Sequence, residues 1–447
     1  MIRTFTKRII PRIEITVRRL VLKLPERTVL VIVCILIGVV DGISAFLLKS
    51  LLQYVHNFIG IFNNRGLANL LLAIFPAAGL FLTVFYIKVV HKRGLKKGIS
   101  QILDSIKNKS SIIEPNQTYG HIISSSFTVG FGGSAGFEAP IVATGSALGS
   151  NIARFFKINV DDRSILLAAG AAAGISAIYN APIAGVLFAI EVLLVNMSVT
   201  AFIPLLLSSA TAAVVARILF QGQLFVLITN HWNLNALPVY ILLGILAGLY
   251  SVLIIRQSIK INKRFKDIKN KWTRVGIGSI ILSPLIFAFP SLFGEGYFSI
   301  QSILNNQEIS ILNPAIFHFD SRLFFVPVII LLFVKIYATG ITISSGGNGG
   351  IFAPSLFMGA FLGYLISSTF NMSGLTVLNV VNFTVVGMAG VLSGVIKIPL
   401  TAIFLIAEIT GGYVLLVPLM IVSAISYFIS SYFESKSIYT KELELKA

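Results

Sequence analysis

The chain has 447 residues, of which 56% are hydrophobic and 12% are charged, and its mean hydropathy is +0.90. No soluble domain of this length tolerates so apolar a surface, so the composition excludes a soluble protein and predicts a polytopic helical membrane protein. Lys and Arg number 35 against 17 Asp and Glu. They fall in short segments beside apolar runs, which indicates membrane topology and contact with anionic lipid and not nucleic-acid binding.

Residues 1–27 form a basic segment without the pattern of a signal peptide, so we expect a retained amphipathic segment on the cytoplasmic side. A plain solvated tail is the alternative. Two further basic clusters, Lys88 to Lys97 and Arg256 to Arg274, are also expected on the cytoplasmic side. The apolar stretches leave room for about ten or more helices at roughly 20 residues per span.

Two glycine-rich segments, 132–140 and 346–354, share one pattern: a glycine bend, two residues, Ala-Pro and then an apolar run. Glycine permits tight turns, and proline suits the first turn of a helix, so each segment predicts a broken helix whose N–H groups point into the bend. Helix N-termini bind anions. Two such starts inside a bilayer predict an anion-conducting site.

The sequence also indicates an internal duplication. Aligning the two glycine-rich segments pairs Phe137 with Ile351 (351 − 137 = 214), and a second matched pair joins Pro182 and Pro399 (399 − 182 = 217). Nearly equal offsets predict an all-α inverted-repeat fold with broken and re-entrant helices. We place the repeats at 28–230 and 235–433, with a short cytoplasmic tail at 434–447.

These motifs resemble those of the CLC chloride channels and chloride/proton antiporters, over nearly the whole chain. Residues 349–354 match the GxFxP segment of that family, and residues 136–140 resemble its G(K/R)EGP segment, with Phe137 in place of the basic residue. Residues 179–191 and 393–408 support the match. The resemblance implies a CLC-type fold, a homodimer with one pore in each subunit, a place in the bacterial inner membrane and no cofactor. Because the chain ends at Ala447, no pair of cytoplasmic CBS domains is expected.

Glu138 is the predicted gate. A carboxylate at a buried helix start is stabilised by the same N–H groups that hold an anion, so it can compete for the anion site until it is protonated. The alternative is an ordinary capping carboxylate near a surface. The resemblance implies that anions bind at Gly136, Phe137, Ile351, Phe352 and the Tyr439 hydroxyl. Packed core is the alternative for the Phe352 side chain, and solvent exposure is the alternative for Tyr439.

Two positions depart from the family pattern. Lys97 stands where the family places a serine of the central site. Either it lines that site or it extends to water, and we favour the second because a buried unpaired ammonium is costly. Val192 stands where antiporters keep an inner glutamate, which favours passive, channel-like conduction, with proton-coupled antiport as the alternative. Chloride is the expected anion, and nitrate, bromide and fluoride stay open.

Other functional classes fit the sequence less well. The single cysteine and scattered histidines show no metal-ligand spacing, and no catalytic residues are expected, so we do not predict an enzyme. A cation transporter needs acids along its path, whereas the predicted buried acids are few: Asp41, Glu138, Glu191 and Glu408. A lipid- or peptide-binding scaffold does not need two glycine-rich breaks at matched offsets.

Overall fold

The computed structural model describes residues 24–63, 68–91, 94–193, 199–220, 231–305, 325–411 and 413–445. The predicted basic segment 1–27 therefore lies outside the described residues except at its last four positions. Within these ranges the regular structure is helical, as predicted, and seven helices are long and apolar enough to cross a membrane.

The first part of the chain contributes eight α-helices. They are α1 Glu26–Asn63, α2 Ala68–Val90, α3 Ile99–Asn108, α4 Gln117–Gly130, α5 Glu138–Phe155, α6 Val160–Tyr179, α7 Pro182–Phe188 and α8 Val199–Leu219. A π-helical turn, Ala189–Leu193, continues α7.

The second part contributes nine more described α-helices. They are α9 Leu237–Lys266, α10 Lys271–Ala288, α11 Tyr297–Leu304, α12 Phe325–Ser344, α13 Phe352–Ser373, α14 Val380–Ile396, α15 Pro399–Ile409, α16 Leu416–Phe433 and α17 Ile438–Glu444. Helices α13 and α14 are buried along most of their lengths.

Helices α6 and α14 begin and end in the same way. Each begins at an asparagine cap whose side chain accepts a backbone N–H bond, Asn159 for α6 and Asn379 for α14. Each ends at a left-handed residue, Asn180 and Lys397, which are separated by the offset predicted for this part of the repeat (397 − 180 = 217). The two helices are therefore equivalent elements of the two repeats.

Glycines allow two equivalent helix pairs to pack backbone against backbone. In the α5–α6 pair Gly145 faces Gly170, and in the α13–α14 pair Gly359 faces Gly387. A Cβ at any of the four would collide with the carbonyl of the facing residue. Membrane helices use small residues for such close approach because dispersion contacts replace the hydrophobic effect there.

Helices α7 and α15 are capped reciprocally across the repeats. The Glu191 carboxylate beyond α7 accepts two backbone N–H bonds at 3.0 and 2.8 Å from the start of α15. The Glu408 carboxylate near the end of α15 accepts two at 3.0 and 2.8 Å from the start of α7. The donors are Leu400 and Thr401 for Glu191, and Ile183 and Ala184 for Glu408. Each repeat thus completes a helix start in the other.

Gly136 and Gly350 join the two glycine-rich bends. The N–H of Gly136 donates to the Gly350 carbonyl at 2.9 Å, and the N–H of Gly350 donates to the Gly136 carbonyl at 2.7 Å. Their separation is the offset predicted for these bends (350 − 136 = 214). The inverted repeat predicted from the sequence is confirmed, and the starts of α5 and α13 meet at its centre. The outer boundaries of the repeats stay a prediction.

Candidate anion-transport site

The site lies where α5 and α13 begin. Phe137 and Ile351 precede the two helices, and both side chains are buried. The N–H groups of Ile351 and Phe352 make no hydrogen bond to another described residue, so the start of α13 presents two free donors and the positive end of its dipole. The Gly136 N–H is taken up by the pairing with Gly350, so this predicted anion donor instead holds the two bends together.

Glu138 places its carboxylate at the start of α13. The residue is 1% exposed, and its Oε2 accepts a hydrogen bond from the Ala353 N–H at 3.4 Å. Gly136 makes room for this position, because a Cβ there would collide with Oε2. The carboxylate therefore sits within reach of the donors that would hold an anion, as a tethered competitor would. The alternative of a cap near a surface does not match this burial.

Two tyrosine hydroxyls hold the other carboxylate oxygen. Tyr179 and Tyr297 donate to Glu138 Oε1 at 2.6 and 2.5 Å, and the two hydroxyl oxygens are 2.5 Å apart. Two hydroxyl donors on one oxygen stabilise the negative charge of the carboxylate and hold the side chain at the start of α13.

Tyr439 lies in α17, next to the second glycine-rich bend. Its side chain is 4% exposed, and its hydroxyl has no hydrogen-bond partner among the described residues. It lines a cavity together with Ile351, Gly350 and Ala139. A buried hydroxyl without a partner is costly unless a ligand accepts its hydrogen bond, which suits an anion at this point. The alternative of a solvent-exposed Tyr439 is not observed.

Lys97 lines the same cavity. Its ammonium group donates a short hydrogen bond to the Gly346 carbonyl and a second to the Gly347 carbonyl at 3.3 Å. The favoured expectation, an ammonium extended into water, therefore does not match the structure. The carbonyl dipoles offset part of the cost of burying the charge, and they place the cation on the second glycine-rich bend.

Comparisons with known proteins agree with this geometry. The profile described as voltage gated chloride channel matches residues 78–431, most of the chain. The chain belongs to the CLC family. A ClcB-like chloride channel protein of Ralstonia nicotianae is 28% identical over 380 residues, covering 82% of this chain and 84% of the relative. An H(+)/Cl(-) exchange transporter ClcA of Vibrio campbellii is 31% identical over 330 residues, covering 70% of this chain and 66% of the relative.

Solved CLC structures share the fold. A slow cyanobacterial Cl-/H+ antiporter superposes with a TM-score of 0.79 at 24% identity, covering 95% of this chain and 98% of the antiporter. A CLC-type fluoride/proton antiporter superposes with a TM-score of 0.77 at 22% identity, covering 93% of this chain and 98% of that protein. The chain is thus a multi-pass integral membrane protein with the CLC architecture, and CLC proteins are transporters and channels.

This CLC protein carries two buried charged residues, Lys335 and Glu295, near the gate, and no local motif marks them. Lys335, within the apolar helix α12, is fully buried and donates to the Gly294 carbonyl at 3.3 Å. The ammonium also lies 4.7 Å from the centre of the Phe357 ring. Glu295 is 9% exposed and interacts electrostatically with both Lys335 and Glu138. Glu295 must be added to the predicted buried acids. The sequence does mark Lys335, because it is a single lysine within an apolar span.

The departure at Val192 has a clear local setting. Val192 lies in the π-helical turn Ala189–Leu193, partly buried and packed against the main apolar core. Its neighbour Glu191 is fully engaged in capping α15. Val192 has no ionisable group, and the Glu191 carboxylate is occupied at the start of α15.

Proposed function

We propose that this CLC protein carries chloride or a similar small monovalent anion across the membrane, between the starts of α5 and α13. Glu138 serves as the outer gate and Tyr439 as the inner one. One observation carries the proposal: the Glu138 carboxylate is seated at the start of α13, where Ile351 and Phe352 present free N–H donors. An anion and the carboxylate compete for those donors, so opening requires the side chain to leave its seat.

We further propose that anion movement is coupled to protons. The position of Glu138 supports this, because its carboxylate competes with an anion for the donors at the start of α13 and a proton on the carboxylate removes the charge that makes it a competitor. The exchange activity named for the Vibrio relative points the same way. Passive conduction is the second candidate, and Val192 favours it because the cytoplasmic side lacks the inner acid.

The remaining expectations stand as proposals of the same kind. We place the protein in a bacterial inner membrane as a homodimer that works without a cofactor, in accord with the CLC resemblance. Lys97 brings a cation to the inner end of the path through its bonds with the second glycine-rich bend. We propose that this cation tunes the choice among chloride, nitrate, bromide and fluoride.

Flux from liposomes tests both proposals. Purified protein is reconstituted with a chloride gradient, the membrane potential is set by valinomycin and potassium, and chloride and external pH are recorded together. We expect chloride flux with uphill proton movement in the parent. Glu138→Gln should abolish proton movement and leave a chloride flux that no longer varies with pH, whereas the exposed control Glu444→Gln should behave as the parent.

Each outcome of the flux assay leads to a different conclusion. A Glu138→Gln flux as pH-dependent as that of the parent would refute the gating role. Chloride flux without proton movement in the parent would replace exchange by passive conduction. An absence of chloride flux in every variant would overturn chloride as substrate and direct the assay to nitrate and fluoride.

A further inference from the structure

On the Tyr439 side the anion site opens into a cavity of about 400 Å³. Pockets that hold small organic ligands have volumes of roughly 300–1,000 Å³, so this cavity is far larger than a single chloride ion needs. Its floor is the second glycine-rich bend with Tyr439, and its walls come from α2, α9, α10 and α12. Whatever fills it lies directly over the anion path.

The walls are strongly basic. The two basic clusters that the sequence predicts on one side of the membrane converge here with the C-terminal helix α17. The cationic lining residues are Lys88, Lys97, Lys266, Lys271 and Arg274, against the single acidic lining residue Glu442. If Glu442 balances one of these charges, four remain within one cavity.

The partners of these cations orient them without cancelling their charge. The Lys266 ammonium donates to the Leu445 carbonyl at 2.5 Å, and the Arg274 guanidinium donates to the Ile268 carbonyl at 2.5 Å. Neither they nor Lys271 forms an ion pair with a carboxylate in the described part of the chain. Lys271 and Lys97 also repel each other electrostatically. Like charges held close together favour an anion between them.

Hydroxyl groups complete the lining. Thr339 is 1% exposed and Tyr439 is 4% exposed, and neither hydroxyl has a hydrogen-bond partner among the described residues. Both residues line the cavity. Buried donors without partners beside a cluster of cations suit an oxyanion that accepts several hydrogen bonds at once.

We propose that this cavity binds a multivalent phosphate anion, such as polyphosphate or the phosphate chain of a nucleotide, and that the bound ligand blocks the anion path. Several cations favour a multivalent anion over a monovalent one, and guanidinium and ammonium groups are the usual phosphate ligands. A phosphate chain cannot follow chloride between α5 and α13, so it stops over Tyr439. The block rests on the proposed function, whereas binding itself does not.

Binding is measured first, on the full chain in neutral detergent. Sodium tripolyphosphate is titrated at constant ionic strength and chloride concentration while thermal unfolding is followed. We expect a saturable rise in Tm, since a ligand that binds only the folded state stabilises it. Affinity should fall at least tenfold in the double variant Lys271→Gln/Arg274→Gln.

The matched control removes the same charge from the same region. Lys260 and Lys263 are exposed residues of α9 that do not line the cavity. Lys260→Gln/Lys263→Gln should bind tripolyphosphate as the parent does. Equal losses in both double variants, or no rise in Tm at millimolar tripolyphosphate, would overturn the site.

Flux then tests the block. The first liposomes contain phosphatidylcholine alone. Tripolyphosphate on one side should inhibit only the molecules whose cavity faces that side, which is about half of the flux when the orientations are random. Tripolyphosphate on both sides should inhibit nearly all of the flux. Inhibition only in vesicles with phosphatidic acid, and none by tripolyphosphate, would keep the site and assign its phosphate to a lipid headgroup. Saturable binding without inhibition would refute the block. No flux before any addition would refute the proposed function while the binding result stands.

Discussion

Replacing Tyr297 with phenylalanine should loosen the gate. Tyr297 and Tyr179 both donate to one oxygen of Glu138, and Tyr297→Phe removes one donor while the ring keeps its packing. The seated carboxylate then loses a hydrogen bond that the free carboxylate regains from water. We expect Glu138 to leave its seat more often and anion flux to rise.

The contacts set the size of the effect. A hydrogen bond to a charged group contributes about 1.5–3 kcal/mol, which corresponds to roughly a 10- to 150-fold change in the seating equilibrium. That figure is an upper limit, because Tyr179 still donates to the same oxygen at 2.6 Å. The double variant Tyr179→Phe/Tyr297→Phe should exceed either single variant, with effects that do not simply add, because the residues are in contact.

The assay is chloride flux per folded protein in liposomes at several external pH values. Tyr250→Phe is the matched control, because it removes the hydroxyl of a half-buried tyrosine that donates to the Leu332 carbonyl at 2.7 Å, away from the gate. An unchanged flux in Tyr297→Phe and in the double variant would refute the reasoning. A rise in Tyr250→Phe of the same size would show that the gain comes from general loosening and not from the gate.

Two further predictions concern the inner cation and the repeat interface. Lys97→Ser should change the ratio of chloride to nitrate flux several-fold, because it removes the ammonium from the Gly346 carbonyl. The control is Lys96→Ser, which changes the exposed neighbouring lysine and should leave the ratio unchanged. Equal ratios in both variants would contradict a role of Lys97 in the anion path. Glu191→Gln and Glu408→Gln should each cost about 1–3 kcal/mol of stability, because each weakens a pair of charge-assisted caps. Thermal unfolding in detergent checks this. Glu191→Gln should cost the more of the two, because the Thr401 hydroxyl also donates to Glu191 at 2.6 Å, and an unchanged Tm in both variants would contradict the capping role.

Local sequence patterns predict the fold well. Glycine and proline fix where the backbone can bend and restart, so segments 132–140 and 346–354 predict the starts of α5 and α13. The offsets of 214 and 217 residues predict which elements are equivalent, and the Gly136–Gly350 pairing confirms the first. Bends and helix starts depend on residues that are adjacent in the chain, so the sequence shows them directly.

Contacts between distant residues are what the sequence does not display. Tyr297 reaches Glu138 across 159 residues, and no motif around it distinguishes it from a tyrosine in the core. The direction of Lys97 likewise depends on carbonyls 249 residues away. The sequence does not show the carbonyl groups that offset the cost of burying the Lys97 ammonium. Without those partners, an ammonium extended into water has the lower free energy, and this is why the prediction for Lys97 differs from the structure.

The reciprocal caps of α7 and α15 bear on how such a chain could arise. Each carboxylate completes a helix start that belongs to the other repeat, so neither repeat alone satisfies its own backbone. Two identical copies of a single repeat, inserted in opposite orientations, could make both contacts at once. A chain with one repeat would leave that helix start uncapped unless a second copy supplied the carboxylate, and joining the two repeats places both caps within one molecule.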